Sequence, residues 1–131
     1  VDAGANRAIT QFFFDNDDFE RYVERVRAAG IDIPIVPGIL PIHHFGKVAS
    51  FSGKCGSSIP SWLVDRFDRL DEDPGTRALV AAAVAAEQVS DLAGRGVTDF
   101  HFYTMNKAEL SVAICRLLGI RENGDDHHLA A

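Results

Sequence analysis

The chain has 131 residues, of which 47% are hydrophobic, and a formal net charge of −6. This length provides one modest core, and the acidic balance argues against nucleic acid or an anionic membrane surface as a partner. The N-terminus lacks a basic segment followed by an apolar one, and Cys55 and Cys115 have no redox or metal spacing, so a reduced, cytoplasmic setting is expected.

The first residues, Val-Asp-Ala-Gly-Ala-Asn, are typical of the close of a helix, with Gly4 near its C-terminal cap. They favour a chain that is the C-terminal piece of a longer protein, the alternative being a processed or engineered complete domain. Residues 8–14 predict a strand, with Ile9, Gln11 and Phe13 on one face. The Gln11 amide is expected either to bond to neighbouring backbone or to face an amide-like ligand.

The apolar run 31–42 predicts a buried strand of a parallel sheet. It follows a helix predicted over residues 15–30, and the segment Pro37-Gly-Ile-Leu-Pro41 is predicted to leave the sheet as a rigid loop. A second helix is predicted over residues 43–54. Metal binding by its adjacent histidines is not expected, because neighbouring side chains diverge and no third ligand has a recognisable spacing.

Two further helices are predicted before the third strand. Ser61 is a candidate N-cap for the first, and Asp73 followed by Pro74 predicts the start of a long helix that reaches about residue 93 and buries Leu79 among its apolar positions. Residues 99–104 predict the third strand.

The last predicted helix begins at Asn106, with Glu109 completing a capping box. Leu110, Ile114 and Leu117 form its predicted buried stripe. Residues 121–131 are polar and are interpreted as a flexible tail.

The order of elements indicates an α/β fold with three parallel strands. A closed barrel of alternating parallel strands and helices needs eight strands, and three cannot close one. Either the chain is therefore an open unit with exposed strand edges, or further polypeptide supplies the other strands. Exposed edges on apolar strands favour aggregation, and the second interpretation is preferred.

Three strings together, Ile9-Thr-Gln-Phe-Phe-Phe-Asp15, Pro37-Gly-Ile-Leu-Pro41 and Asp99-Phe-His-Phe-Tyr-Thr104 with Asn106, closely resemble the C-terminal portion of bacterial methylenetetrahydrofolate reductase. The resemblance extends over nearly all of residues 1–120. It implies that this segment holds the last three βα repeats of a (β/α)8 TIM barrel.

The resemblance implies flavin chemistry. The family passes a hydride from NADH or NADPH to FAD and then to 5,10-methylenetetrahydrofolate, which gives 5-methyltetrahydrofolate. Expected partners are therefore this folate, a nicotinamide dinucleotide and the N-terminal part of the same barrel, with a homo-oligomer also possible. The choice between NADH and NADPH stays open.

Four residues fall on substrate-contacting positions of the family. Gln11 matches a glutamine that contacts the substrate, and Phe51 an aromatic that lies against folate or nicotinamide. Lys107 stands where relatives carry arginine for a glutamate carboxylate, and Lys47 stands where some relatives carry a glutamine. Ile9 and Met105 match apolar positions near the flavin ring.

The family's catalytic glutamate and most of its FAD contacts lie in the earlier repeats, so no catalytic residue is expected in this segment. One alternative is a non-catalytic half-barrel fragment that acts only as an interaction or assembly module. Another, ranked last, is a metal-dependent barrel hydrolase, which would need the histidines to converge.

Overall fold

The computed structural model describes residues 1–120, and the predicted tail of residues 121–131 lies outside this range. Within it, strands and helices alternate in the order β1 (Ala8–Phe12), α1 (Asn16–Ala28), β2 (Ile35–Ile39), α2 (Phe45–Cys55), α3 (Ser61–Phe67), α4 (Pro74–Gly94), β3 (His101–Phe102) and α5 (Ala108–Leu117). The strands form one parallel sheet in the order β1-β2-β3. The predicted α/β arrangement of three parallel strands is confirmed.

The starts of α1 and α4 are confirmed, because local hydrogen bonds fix them. Asp15 caps α1 by accepting a hydrogen bond from the Asp17 N–H at 3.0 Å. Asp73 caps α4 by accepting from the Thr76 N–H at 3.0 Å, and Pro74 is the first helical residue. The start predicted for α3 was off by one residue, since Pro60 is the N-cap and Ser61 already lies in the helix.

The core lies between the sheet and α4, which packs against α1, α3 and α5. The buried face of α4 consists of Ala81, Ala82, Val84, Ala85, Val89 and Leu92. The predicted burial of Leu79 was wrong, because its side chain lies outside this face and is 74% exposed. Within residues 1–120, no helix has the length and apolar character needed to cross a membrane.

The loop predicted at Pro37 was wrong, because β2 runs through Pro37 and Gly38 to Ile39. The Gly38 N–H points towards β1, where it donates to the Thr10 Oγ1 at 3.0 Å. Neighbouring residues of a strand point their N–H groups to opposite sides, so the Pro37 nitrogen faces β3. Pairing with β3 begins only at Gly38, and no ladder bond is lost.

The two outer strands are shorter than predicted, since β1 ends at Phe12 and β3 consists of His101 and Phe102 only. β1 ends at Phe12 after a register shift, which breaks the alternation and buries Phe13 instead of leaving it on the face of Ile9 and Gln11. The predicted capping box of α5 was also wrong. Asn106 adopts a left-handed φ of 59°, and Lys107 is the N-cap without a side-chain hydrogen bond.

The buried stripe predicted on α5 was partly correct. Leu110 and Ile114 are buried as predicted. Leu117 is instead 62% exposed, so the stripe ends one turn earlier than the apolar spacing indicates.

Candidate functional site

A cleft of about 590 Å³ lies at the carboxyl end of the sheet. Residues at or just after the ends of all three strands and residues from the start of α2 line it: Gln11, Phe12, Leu40, Pro41, His43, His44, Lys47, Val48, Phe51, Tyr103, Met105 and Lys107. Ligands of parallel α/β sheets bind beyond the carboxyl ends of the strands. This cleft is therefore the candidate site, and all four residues expected to bind substrate line it.

Gln11 lies where β1 is irregular, between the paired residues Ile9 and Phe12. Its Oε1 accepts a hydrogen bond from the Phe12 N–H at 3.1 Å, so the side chain satisfies a backbone group beside the register shift. Among the hydrogen bonds of residues 1–120, the Gln11 amide nitrogen has no acceptor. Both interpretations of this residue thus apply to different atoms, since the oxygen binds backbone while the N–H groups are available to a ligand.

Phe51 presents an aromatic surface to the cleft from α2, and 50% of this residue is exposed. Its ring stacks on Phe12, with 6.0 Å between centroids and 20° between planes. Phe12 is buried and packs in turn against Phe14 at 5.7 Å. This buried pair holds the Phe51 ring, whose remaining surface suits a flat conjugated ligand.

The turn after β3 carries two of the predicted site residues. Met105 and Asn106 have left-handed φ angles of 52° and 59°, which are uncommon for residues other than glycine. The turn is closed by the Lys107 N–H, which donates to the Thr104 carbonyl at 2.9 Å. It leaves Met105 66% exposed and places Lys107 in the cleft.

Two ammonium groups reach the cleft from different helices. Lys47 lies in the first turn of α2, Lys107 precedes α5, and no aspartate or glutamate lines the cleft. In the part of the chain that the structure describes, every ion pair involves an arginine and neither lysine has a carboxylate partner. The cleft is thus cationic, although the whole chain carries a net charge of −6.

Ile9 does not line this cleft. It is 48% exposed and lines a neighbouring depression of about 910 Å³, which includes Tyr22, Ser57 and also Gln11. Gln11 therefore lines both the cleft and this depression. The structure brings five of the six predicted site residues together and places the sixth on the far side of Gln11.

A hydrogen-bonded strand clasp, formed by Thr10, Gly38 and Tyr103, was not predicted from the sequence. The Tyr103 hydroxyl donates to the Thr10 carbonyl at 2.8 Å, and the Thr10 hydroxyl oxygen accepts from the Gly38 N–H at 3.0 Å. A Cβ at Gly38 would lie 2.6 Å from the Tyr103 ring and 2.5 Å from the Thr10 carbonyl oxygen. The clasp therefore requires glycine at the point where the ring crosses β2.

No sequence pattern pairs these three residues, because Tyr103 and Thr10 are 93 positions apart. The apolar string that contains Gly38 and the aromatic string that contains Tyr103 were each recognised. Only the register of the sheet brings them together. Tyr103 also lines the cleft, so the clasp forms part of the candidate site.

His43 and His44 immediately precede α2, and His44 is its N-cap. Burial, then the Lys107 ammonium and His44, lower the pKa of His43, although Glu109 opposes this shift. Desolvation, then Arg77, Lys47 and Lys107, lower the pKa of His44. Within residues 1–120, no group of three or more His, Cys, Asp or Glu side chains is arranged to hold a metal ion.

Chemically, the cleft combines an amide with free N–H donors, an exposed aromatic ring and two ammonium groups. Such a set suits a flat ligand with amide-like edges and at least one anionic group. The predicted convergence of Gln11, Phe51 and Lys107 occurs in this cleft. No carboxylate lines it that could act as a general acid or base.

Comparison with known proteins gives consistent matches. Residues 1–119 match the family described as methylenetetrahydrofolate reductase. The 5,10-methylenetetrahydrofolate reductases of Pectobacterium carotovorum subsp. carotovorum and Escherichia coli (strain K12) are each 52% identical over 121 residues, which is 92% of this chain and 41% of the relative. The chain thus spans about two fifths of the length of these relatives.

Among solved structures, one match is an uncharacterized protein from Clostridium thermocellum described as binding two copies of 5-methyl-5,6,7,8-tetrahydrofolic acid. It aligns with a TM-score of 0.47 and 18% identity, over 88% of this chain and 43% of that chain.

Proposed function

Because this chain belongs to the methylenetetrahydrofolate reductase family, we propose that it supplies part of the active site of a flavin-dependent folate reductase. The reaction is the reduction of 5,10-methylenetetrahydrofolate to 5-methyltetrahydrofolate by NADH or NADPH. The observation that carries the proposal is the common cleft of Gln11, Phe51 and Lys107. These residues supply an amide, a flat ring and a cation, which are the chemical counterparts of a pterin and its glutamate tail.

The proposed parent fold is a (β/α)8 TIM barrel in which residues 1–120 form the last three repeats. Two observations support this. The strands are parallel and in sequence order, and within the described residues β1 and β3 each pair on one side only. The relatives are also more than twice as long as the matched segment, which spans 41% of them. The remaining strands are assigned to that additional polypeptide.

Each cleft residue has a proposed role in holding the folate. The Gln11 amide donates its N–H groups to acceptor atoms on the pterin edge while its Oε1 stays on the Phe12 backbone. Phe51 stacks against the pterin or the nicotinamide, and the two ligands use this surface in turn. Lys107 attracts a glutamate carboxylate as a point charge, because an ammonium lacks the two-pronged geometry of a guanidinium.

FAD is the proposed cofactor, because Met105 and Ile9 match apolar positions that lie near the flavin ring in the family. Met105 is 66% and Ile9 48% exposed, so each has apolar surface available for contact, although the two lie on different sides of Gln11. The chemistry that FAD would supply here is hydride transfer from the nicotinamide to the folate. The chain's contribution is to exclude water with these side chains and to position the ligands.

The proposal is tested by expressing the chain alone and together with the part of the Escherichia coli relative that it does not match. We expect flavin absorbance, NADH-dependent flavin reduction and folate turnover only in the combined sample. Association without flavin would instead support the alternative of a non-catalytic interaction module, which the unpaired edges of β1 and β3 favour. Absence of both association and flavin would refute the barrel assignment.

A further inference from the structure

The cleft holds more positive charge than one carboxylate requires. Lys47 and Lys107 both line it, and neither has an ion-pair partner among residues 1–120. Each of these two ammonium groups can form an ion pair with an anionic group of a ligand. A ligand with two anionic groups can pair with both lysines, whereas a ligand with one anionic group leaves one of them unpaired.

We propose that Lys47 and Lys107 together recognise two separate anionic groups on the ligands of this cleft, so that it prefers ligands with an additional negative charge. The inference rests on the proposed function, which makes these ligands a folate and a nicotinamide dinucleotide. The additional anion is then either a further γ-glutamyl carboxylate on the folate tail or the 2′-phosphate that distinguishes NADPH from NADH.

The positions of the two lysines support separate anion contacts. Lys47 lies in the first turn of α2, which follows β2, while Lys107 is the N-cap of α5, which follows β3. The ammonium groups therefore enter the cleft from two different helices. The cleft also contains Phe51 and Met105, whose exposed apolar surfaces provide a place for the uncharged ring of the ligand.

The electrostatic environment of His44 is consistent with this arrangement. Its pKa is lowered by desolvation and by the combined charges of Arg77, Lys47 and Lys107, with Asp71 acting in the opposite direction. Both cleft lysines thus act on the same imidazole, that of the α2 N-cap.

The test compares Lys47→Gln with Lys54→Gln in the combined sample. Lys54 lies in the last turn of the same helix and does not line the cleft, so its substitution removes an equal charge from α2 without changing the site. The measured quantities are the dissociation constants for mono- and triglutamyl tetrahydrofolate and the kcat/KM values for NADH and NADPH.

For Lys47→Gln we expect the affinity ratio of triglutamyl to monoglutamyl folate, or the ratio of NADPH to NADH turnover, to fall about two- to fivefold, as for loss of one exposed ion pair. The ratio that falls identifies the source of the anion. Lys54→Gln should change neither ratio, and the loss should shrink as the salt concentration rises. Both ratios unchanged in Lys47→Gln would overturn the inference.

A failure of the proposed function has a different outcome. If the unsubstituted combined sample binds neither folate nor dinucleotide, the proposed function fails. In that case the binding of inorganic pyrophosphate, followed through the NMR signals of His43 and His44, still tests the paired cations. Equal pyrophosphate affinity for the unsubstituted protein and Lys47→Gln would then overturn the inference.

Discussion

The strand clasp and the cleft lie side by side at the carboxyl end of the sheet, yet their polar groups differ. Those of the clasp form hydrogen bonds within the chain, and those of the cleft do not. In the clasp, both oxygens of Thr10 accept hydrogen bonds, from Tyr103 and from Gly38. In the cleft, the Gln11 amide nitrogen and the ammonium groups of Lys47 and Lys107 have no partner among residues 1–120. The clasp is explained by folding alone, and the cleft is not.

This difference distinguishes residues that stabilise the sheet from residues whose polar groups are available to bind a ligand. Substitutions in the clasp should mainly lower the free energy of unfolding, and substitutions in the cleft should lower ligand binding more than stability. Tyr103 belongs to both groups, because it lines the cleft and closes the clasp. Variants of each group test this separation.

The largest expected effect is that of Gly38→Ala. The added methyl group would lie 2.5 Å from the Thr10 carbonyl oxygen, so the strands or the Tyr103 ring must shift. We expect the free energy of unfolding to fall by about 1–3 kcal/mol in urea titrations. Gly53→Ala is the control, because its Cβ meets nothing within 4 Å and alanine favours the helix. Equal stability of both variants would contradict the clasp.

The next largest effect is that of Gln11→Ala in the combined sample. Loss of the amide leaves the polar edge of the pterin without its partner, and kcat/KM for the folate should fall about tenfold. Flavin retention, measured by absorbance, should change less. Gln11→Glu keeps an acceptor for the Phe12 N–H and removes the donors, so it should reproduce the loss. Unchanged folate kinetics would remove Gln11 from the site.

Phe51→Ala should impair both hydride half-reactions, because folate and nicotinamide use the same ring surface. Stopped-flow measurements of flavin reduction and reoxidation should each show a loss of about fivefold, as expected for one aromatic contact. Phe51→Leu retains apolar contact with Phe12 and should lose less stability while losing the flat surface. An effect on only one half-reaction would assign Phe51 to a single ligand.

Tyr103→Phe tests the clasp without a change in shape. It removes the hydrogen bond to the Thr10 carbonyl, and the unfolding free energy should fall by about 1 kcal/mol. Tyr22→Phe is the matched control, since the Tyr22 hydroxyl forms no hydrogen bond within residues 1–120 and the side chain is 42% exposed. If both variants unfold alike, the hydroxyl of Tyr103 does not stabilise the sheet.

The smallest expected effect concerns the pH dependence of stability. The pKa of His43 is lowered by burial, Lys107 and His44, so the unfolded chain binds a proton on this histidine at a higher pH than the folded chain. Stability should therefore fall as the pH drops below about 6.5, the ordinary value for histidine. His43→Asn should weaken this fall in urea titrations between about pH 7 and 5. An identical slope in both proteins would contradict the assignment.

The sequence alone predicted the features that short-range interactions determine. Asp73 caps its helix as predicted, and Asp15 caps the helix that was predicted to begin there, because each bonds to a backbone N–H within three residues of itself. The parallel order of the strands was also correct, since the intervening helices are long enough for crossovers. The resemblance to a family supplied the site residues, and all of them except Ile9 line one cleft.

The features that depend on pairing between distant segments were not predictable in this way. Proline predicted a loop at Pro37, yet the late start of pairing with β3 leaves no ladder bond for its missing N–H to make. The capping box predicted at Asn106 failed because the left-handed turn places that residue before the helix. Ile9 lies outside the cleft because it is the second residue of β1, two positions before Gln11.

The crossing of the Tyr103 ring over Gly38 also has an evolutionary consequence. Since a side chain at position 38 would occupy the space of the ring, the two positions should covary. Relatives that keep an aromatic residue at the position of Tyr103 should retain glycine opposite it, and those with a larger residue there should carry a small side chain in place of the tyrosine. The residues tolerated at position 38 are thus limited by the residue at position 103, and the reverse also holds, whatever ligand the protein binds.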